Sequence, residues 1–196
     1  VGHGLDSTPE MVIVKSITTT ANGSWSVYHI ETGATKSIAL EQATTPFTDV
    51  GYWNNTSPTA SVFSLGTYAV ANQSSANYIA YNFTSKPGFS KVGSYTGSGV
   101  VGNTVMTVFE PAFVIIKKSS GTGGWYMFDN KRLTGSYSDQ LAANSSAAET
   151  TGTYVKFLAN GFQLNTAASD LNTSSQTFIY LAFAADGSTA TPSLAN

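Results

Sequence analysis

Short apolar runs separated by Gly, Ser, Thr and Asn recur along the whole chain. Each run has the length of a β-strand, and the spacing between runs suits a sandwich or barrel. The segment 139–149 has some helix-forming Ala and Leu, but Asn144, Ser145 and Ser146 at its centre favour a loop or a single turn. The pattern therefore predicts an all-β protein. The clearest runs are 11–14, 61–65, 78–83, 105–109, 113–116, 126–128, 155–158 and 178–183.

Three blocks of the first half of the chain recur in the same order in the second half. The segments 9–15, 23–28 and 77–83 correspond to 111–117, 123–128 and 177–183, at separations of 102, 100 and 100 residues. Such self-similarity predicts two homologous halves, about residues 1–100 and about 101–196. Because the apolar runs lack clean alternation, as strands covered on both faces do, we expect one shared sandwich domain over 1–196. Two tandem small domains with a linker near 85–110 remain the alternative.

Charge is scarce, at 10% of residues with a formal net charge of −2. Ser, Thr, Asn and Gly replace it, a composition typical of β-rich extracellular or virion surfaces. Binding to a phosphate backbone needs many cations together, and no more than two basic residues are adjacent, so no nucleic-acid partner is predicted. No apolar run reaches the length of a membrane span. Cysteine is absent, which excludes disulfides, thiolate metal ligands and thiol nucleophiles.

Patterns that indicate catalysis or metal binding are weak. The chain has no G-x-S-x-G motif, and its two histidines, His3 and His29, are interpreted as structural. None of the 11 acidic residues lies within two positions of another, so no strand carries an evident glycosidase pair. The G-x-G-x-x-G sequence at 97–102 precedes a strand-like run, which favours a hairpin turn over a dinucleotide site. We predict no catalytic residues, no metal site and no cofactor, and keep a glycan-active enzyme as the least favoured alternative.

Sugar binding is the candidate chemistry that the sequence supports best. Aromatic rings pack on the apolar faces of sugars, while amide and carboxylate groups bond the hydroxyls. This mixture occurs in an apparent loop without a counterpart in the second half, and a second candidate is the tip that follows the second Trp strand. The alternatives are core packing for the aromatic pair and a solvated hairpin end with a local ion pair for the tip. The predicted ligand-binding residues are Tyr52, Trp53, Asn54 and Asn55 in the loop, with Asp129 and Asn130 at the tip.

Trp25 and Trp125 stand at equivalent positions of the two halves, so both are predicted to lie in a shared core. Asp and Asn in the candidate loops favour turns, and neither loop matches a known calcium-binding pattern.

Longer segments of the chain resemble a known family. The block 88–97 (GFSKVGSYTG) is the most specific, and the likeness continues through 77–83, 110–117, 125–132, 160–164 and 178–184 in the family's order. In these blocks the chain resembles the concanavalin-like (LamG-like) domain of phage virion structural proteins. The resemblance implies a concanavalin-like jelly-roll β-sandwich on a tail fibre, spike or other virion surface protein. It implies no activity and no agreed binding residues.

Two main hypotheses follow for the function. The first is a host-binding module of a tail fibre or spike that recognises host-surface glycans. The second is a capsid decoration or head-fibre protein whose main partner is the virion, with a large apolar patch inside a polar rim. Both place the chain on the virion surface among other virion proteins, as a homo-oligomer such as a trimer. Exposed Tyr52 and Trp53 would favour the first hypothesis.

Overall fold

The computed structural model describes residues 1–18, 23–167 and 170–185 of the chain. Antiparallel strands dominate it, and the described helices are single turns, which confirms the all-β prediction. The strands are β1 (Met11–Ser16), β2 (Trp25–His29), β3 (Lys36–Ala39), β4 (Phe47–Thr48), β5 (Tyr78–Phe83), β6 (Ser90–Thr96), β7 (Asn103–Met106), β8 (Pro111–Lys118), β9 (Trp125–Asp129), β10 (Leu133–Thr134), β11 (Tyr137–Ala142), β12 (Thr150–Leu158), β13 (Gly161–Leu164) and β14 (Thr177–Ala184). The helices are α1 (Val50–Trp53) and α2 (Ala69–Asn72).

The chain divides into two compact units, Val1–Thr84 and Ser85–Asn196. Residues 85–100, which the sequence repeat assigned to the first half, therefore belong to the second unit. Residues 139–142, which the sequence suggested as loop or turn, belong to strand β11.

The first unit is built on a five-stranded sheet in the order β4-β3-β2-β1-β5. Val12 and Val14 of β1 lie on one face of this sheet and pack with Tyr28 of β2. Helices α1 and α2 cover that face, because each contributes two buried apolar side chains to the same core: Tyr52 and Trp53 from α1, Val70 and Ala71 from α2. The core of this unit thus lies between a sheet and two short helices.

The second unit has a longer sheet in the order β6-β14-β8-β9-β11-β12-β13-β7, with β10 paired to β11. Phe162 of β13 lies far along this path from β14 and β6. Its ring nevertheless lies 5.4 Å from that of Tyr180 and 6.1 Å from that of Tyr95, both edge to face. The sheet therefore folds over on itself, in a sandwich or near-barrel arrangement around one core.

The three repeated blocks form the same three-stranded motif in both units. In the first unit β1 lies between β2 and β5, and in the second β8 lies between β9 and β14. Met11 pairs with His29 and Phe83, while its counterpart Phe113 pairs with Asp129 and Phe183. The pairing register is therefore the same at equivalent positions of the two units.

The segment 88–97 forms a turn and strand β6, and close contacts require glycine at two of its positions. A Cβ on Gly97 would lie 2.1 Å from the carbonyl oxygen of Thr173, and one on Gly93 would lie 2.8 Å from the Tyr180 hydroxyl. Tyr95 of the same strand donates its hydroxyl to the carbonyl oxygen of Leu171 at 2.7 Å. The following segment 97–102 contains a turn that leads into strand β7. It is not the hairpin that the sequence suggested, because β6 pairs with β14 while β7 pairs with β13.

Candidate functional site

Helix α1 places the predicted loop residues, and it buries its two aromatics. Asp49 caps the helix by accepting a hydrogen bond from the Gly51 N–H at 2.7 Å. Tyr52 is 8% exposed and Trp53 only 2%. The Trp53 ring lies edge to face against Tyr28, 5.9 Å between centroids. Both rings are therefore packed against the sheet, which is the core-packing alternative for this pair, since a single helical turn directs both of them inward.

Asn54 and Asn55, which follow the helix, are exposed and adopt left-handed backbone angles, φ 51° and 48°. Asn tolerates this conformation better than most residues, so their turn-forming role accounts for their position.

Tyr52 nevertheless contributes to a cleft in the first unit. The cleft has a volume of about 480 Å³ and opens to solvent. The Tyr68 ring lies 5.1 Å from that of Tyr52 and is 41% exposed, so it presents an accessible aromatic surface. The described residues that line the cleft are Gly23, Ser24, Glu41, Gln42, Tyr52, Tyr68 and Val70.

Two backbone hydrogen bonds hold together the segments that carry Tyr52 and Tyr68. Gly66 donates its N–H to the Tyr52 carbonyl at 2.8 Å, and Tyr68 donates its N–H to the Gly51 carbonyl at 2.9 Å. A Cβ on Gly66 would lie 2.4 Å from the backbone of Gly51. A glycine at this position therefore allows the segment that carries Tyr68 to lie directly against α1.

The polar side of the cleft is organised around Glu41. Its carboxylate accepts hydrogen bonds from the Trp25 N–H at 2.9 Å and from the Ser24 hydroxyl. The Gln42 amide lies 3.5 Å from the same carboxylate and is exposed. These bonds fix the carboxylate and leave the Gln42 amide accessible beside it.

Burial, together with the smaller effects of the neighbouring Tyr68, Asp49 and Glu41, raises the pKa of Tyr52 to about 12. The Tyr52 hydroxyl therefore stays protonated at neutral pH, where it can donate and accept hydrogen bonds.

The side chains of this arrangement have the chemistry to bind a polar ligand with an apolar face. An accessible ring, an amide and a fixed carboxylate are the groups that contact a sugar. Of the described residues in the lining, Glu41 is the one acid, whereas glycoside hydrolysis needs two carboxyl groups across the bond.

The second predicted location, the tip after β9, is an ion-paired turn. Asp129 accepts hydrogen bonds from the N–H groups of Lys131 and Arg132, both at 2.9 Å, and pairs with the Arg132 guanidinium at 2.7 Å. Partial burial raises the pKa of Asp129, but these donors outweigh it and leave the pKa below its ordinary value. Arg132 also pairs with Glu149, and Asn130 donates its N–H to the Ala112 carbonyl at 2.9 Å. The carboxylate of this tip is thus engaged within the unit.

The histidines have structural contacts. His29 is buried, and its Nδ1 accepts from the Glu31 N–H at 3.2 Å. His3 Nδ1 accepts from the Leu5 N–H at 3.1 Å. Within the described ranges, no group of three or more His, Cys, Asp or Glu side chains could hold a metal ion. In that same part of the chain, no helix is both long and apolar enough to cross a membrane.

Sequence signals for the cleft were present but dispersed. The adjacent Glu41 and Gln42 lie far from Tyr68 along the chain, and the three form no motif, so sequence reasoning reached Tyr52 alone. The fold brings the other lining residues next to Tyr52.

No curated protein and no solved structure matches the chain. A family model described as a domain of unknown function (DUF7483) matches residues 1–186. The chain therefore belongs to the DUF7483 family.

Proposed function

We propose that the chain is a non-enzymatic module of a phage virion surface that binds host-surface glycans through the cleft of its first unit. The observation that carries the proposal is the exposed Tyr68 ring beside the Gln42 amide and the fixed Glu41 carboxylate. The ring offers an apolar platform for one face of a sugar, and the polar groups offer partners for its hydroxyls.

The virion location rests on composition and resemblance. A surface that relies on Ser, Thr, Asn and Gly, with 10% charged residues, fits an extracellular particle. The blocks that resemble phage structural proteins point the same way.

The common register of the three-stranded motifs supports a further part of the proposal. Equal registers around β1 and β8, together with the repeated sequence blocks, are what duplication of one ancestral half would produce. We infer that the chain consists of two homologous halves of a concanavalin-like jelly-roll fold.

The test is a glycan array and a whole-cell binding assay with the purified chain. We expect saturable binding that Tyr68→Ala or Gln42→Ala abolishes. Phe89→Ala is the matched control, because Phe89 is an aromatic of the second unit with the same exposed fraction, 41%, as Tyr68. Binding that survives Tyr68→Ala and Gln42→Ala would assign the glycan to another surface.

A capsid decoration role is the second candidate, and one feature favours it. Four aliphatic or thioether side chains within residues 100–108 are more than half exposed, a concentration typical of contact surfaces: Val100, Val101, Met106 and Val108. If the wild-type chain binds no glycan and no host cell but sediments with virion particles, this role replaces adhesion.

A further inference from the structure

Strand β5 is an open edge of the first unit's sheet. It pairs with β1 and has no second neighbour among the described residues, whereas its counterpart β14 lies between β8 and β6. The hydrogen bond from the Ile17 N–H to the Asn77 carbonyl shows that alternate, odd-numbered residues of β5 bond to β1. The backbone groups of Tyr78, Ala80 and Asn82 therefore point to the open side, where no described residue bonds them.

The equivalent edge in the second unit is protected. On the outer side of β6, the backbone of Val92 bonds the Ser85 hydroxyl at 3.1 and 3.5 Å, and Ser90 exchanges two backbone bonds with Lys86 at 3.0 Å. Asn103 donates its side-chain amide to the Thr96 carbonyl at 3.1 Å. Proteins commonly shield edge strands in such ways or with proline and charge.

Strand β5 has none of these protections. Its sequence, YIAYNF, contains no proline and no charged residue, and its pairing with β1 shows no bulge. Two of its large side chains are accessible on one face, Ile79 at 39% and Tyr81 at 41%. An uncharged edge with exposed apolar side chains is suited to accept another strand.

We propose that β5 pairs with β5 of a second copy of this chain, antiparallel about a twofold axis at Ala80. The strand is self-complementary in this arrangement. Ala80 faces its own equivalent and Tyr78 faces Asn82 of the other copy, so the three outward-pointing residues all become hydrogen-bonded pairs. Each such pair exchanges two bonds, which gives about six across the interface.

The side chains of β5 are compatible with this pairing register. Ile79 lies directly opposite Tyr81 of the second copy, in the closer type of antiparallel pair, and an aromatic opposite a β-branched residue is a favourable combination. The pair occurs twice, so each of the four exposed apolar side chains gains an apolar neighbour across the interface. At the axis, Ala80 is small enough to avoid a clash.

Charge does not oppose the pairing. Lys15 is the charged residue of β1 and lies next to Ile79. The two copies of Lys15 would be three strand spacings apart, at least about 14 Å. This exceeds the screening length of about 8 Å at physiological ionic strength. A second copy of the chain thus meets the hydrogen-bonding, apolar and charge requirements of the edge together.

The test is the mass of the full chain in solution, measured by size-exclusion chromatography with light scattering over a concentration series. We expect the wild type to reach twice the 20.5 kDa chain mass. The variant I79K/Y81K places like charges opposite each other at both positions, and we expect a monomer. The matched variant I79K/Y81E places opposite charges there and keeps the lysine at 79 that faces Lys15, so we expect the dimer to be retained.

Both variants lack the Tyr81 ring and its stacking on Trp25, so a difference between them reports the contact across the axis. Circular dichroism confirms that both fold. A monomeric or trimeric wild type would overturn the proposal, as would a dimer that persists in I79K/Y81K. A monomeric I79K/Y81E beside a dimeric wild type would reject the register about Ala80. None of these measurements depends on glycan binding, so they test the dimer interface independently of the proposed glycan-binding cleft.

Discussion

The ammonium group of Lys117 donates a hydrogen bond to the carbonyl oxygen of Gly123, 2.6 Å away, in a fully buried position. Lys15 makes the same bond to Gly23 at the equivalent place in the first unit. In each unit the lysine joins the central strand of the repeated motif to the turn before the Trp strand. In both units a side-chain oxygen accepts a hydrogen bond from the backbone N–H of the tryptophan. The acceptor is Glu41 for Trp25 and Asn144 for Trp125, the latter at 2.7 Å.

The stability of the chain should therefore depend on pH through Lys117. Burial lowers its pKa from 10.5 to about 8, although the charge of Asp170 partly opposes this. Between about pH 8 and pH 10 the unfolded chain binds more protons than the folded chain, so the free energy of unfolding rises with pH. Above about pH 10 the trend reverses, because burial raises the pKa of both Tyr52 and Tyr126 from 10.0 to about 12 and the unfolded tyrosines lose their protons first.

Urea unfolding at several pH values measures this profile. We expect Lys117→Met to lose the rise between about pH 8 and pH 10, while Lys15→Met keeps it. A wild-type profile that is flat over this interval would contradict the assignment.

The two equivalent tryptophans should differ in their contribution to stability. Trp125 is 1% exposed, whereas Trp25 is half-buried, stacked on Tyr81 at 6.4 Å and covered on one side by Lys15. Trp125 is thus fully buried and Trp25 only partly, while the sharing of one core by the two tryptophans stays a prediction. We expect Trp125→Ala to cost roughly 3–5 kcal/mol and Trp25→Ala clearly less, as determined by urea unfolding. An equal loss of unfolding free energy in the two variants would show that the difference in burial does not determine the contribution of each tryptophan.

Gly66 should control the shape of the cleft. Its missing side chain lets the segment before Tyr68 lie against Gly51, and the contact at 2.4 Å is with backbone atoms, which cannot rotate away. We expect Gly66→Ala to lower the melting temperature and to abolish glycan binding by displacing Tyr68. Gly2→Ala is the control, since a Cβ there would have an ordinary contact of 3.9 Å. Unchanged binding in Gly66→Ala would show that the ring position does not matter.

Asn172 should be a critical polar residue of the second unit. Its buried side chain accepts from the Ser98 N–H and the Asn103 amide at 2.9 and 2.8 Å, and donates to the Val100 and Thr166 carbonyls at 2.8 and 2.7 Å. Asn172→Ala removes all four of these bonds from a buried site, and we expect it to cost about 3 kcal/mol or more.

Asn172→Asp keeps the shape and the acceptor, but it places a carboxylate oxygen against the Val100 and Thr166 carbonyl oxygens in a buried site. Burying a charge against two acceptors is costly, so we expect its free energy of unfolding at neutral pH to be no higher than that of Asn172→Ala. If Asn172→Ala unfolds at the wild-type urea concentration, the residue does not hold the turn at 97–102.

Much of the strand content could be predicted from the sequence. The run 11–14 lies in β1, the run 78–83 is β5, and the run 178–183 lies in β14, because strand formation follows local apolar and β-branched content. The repeat in the sequence also indicated which strands would be equivalent. The run 61–65 did not become a strand; Val62 forms an isolated bridge to Gly2 instead.

Tertiary structure decided which side chains are available for function. Tyr52 and Trp53 have the composition of a binding loop, and one helical turn directs them inward. Tyr68, Glu41 and Gln42 come together because Gly66 allows two segments to approach and because Glu41 bonds the start of β2.

The apolar and polar pattern of the sequence thus determined the all-β class and the repeated motif, since both follow from local periodicity and recurrence. The cleft and the open edge of β5 depend on contacts between residues that lie far apart along the chain. Only folding establishes such contacts, because burial and proximity are properties of the packed chain.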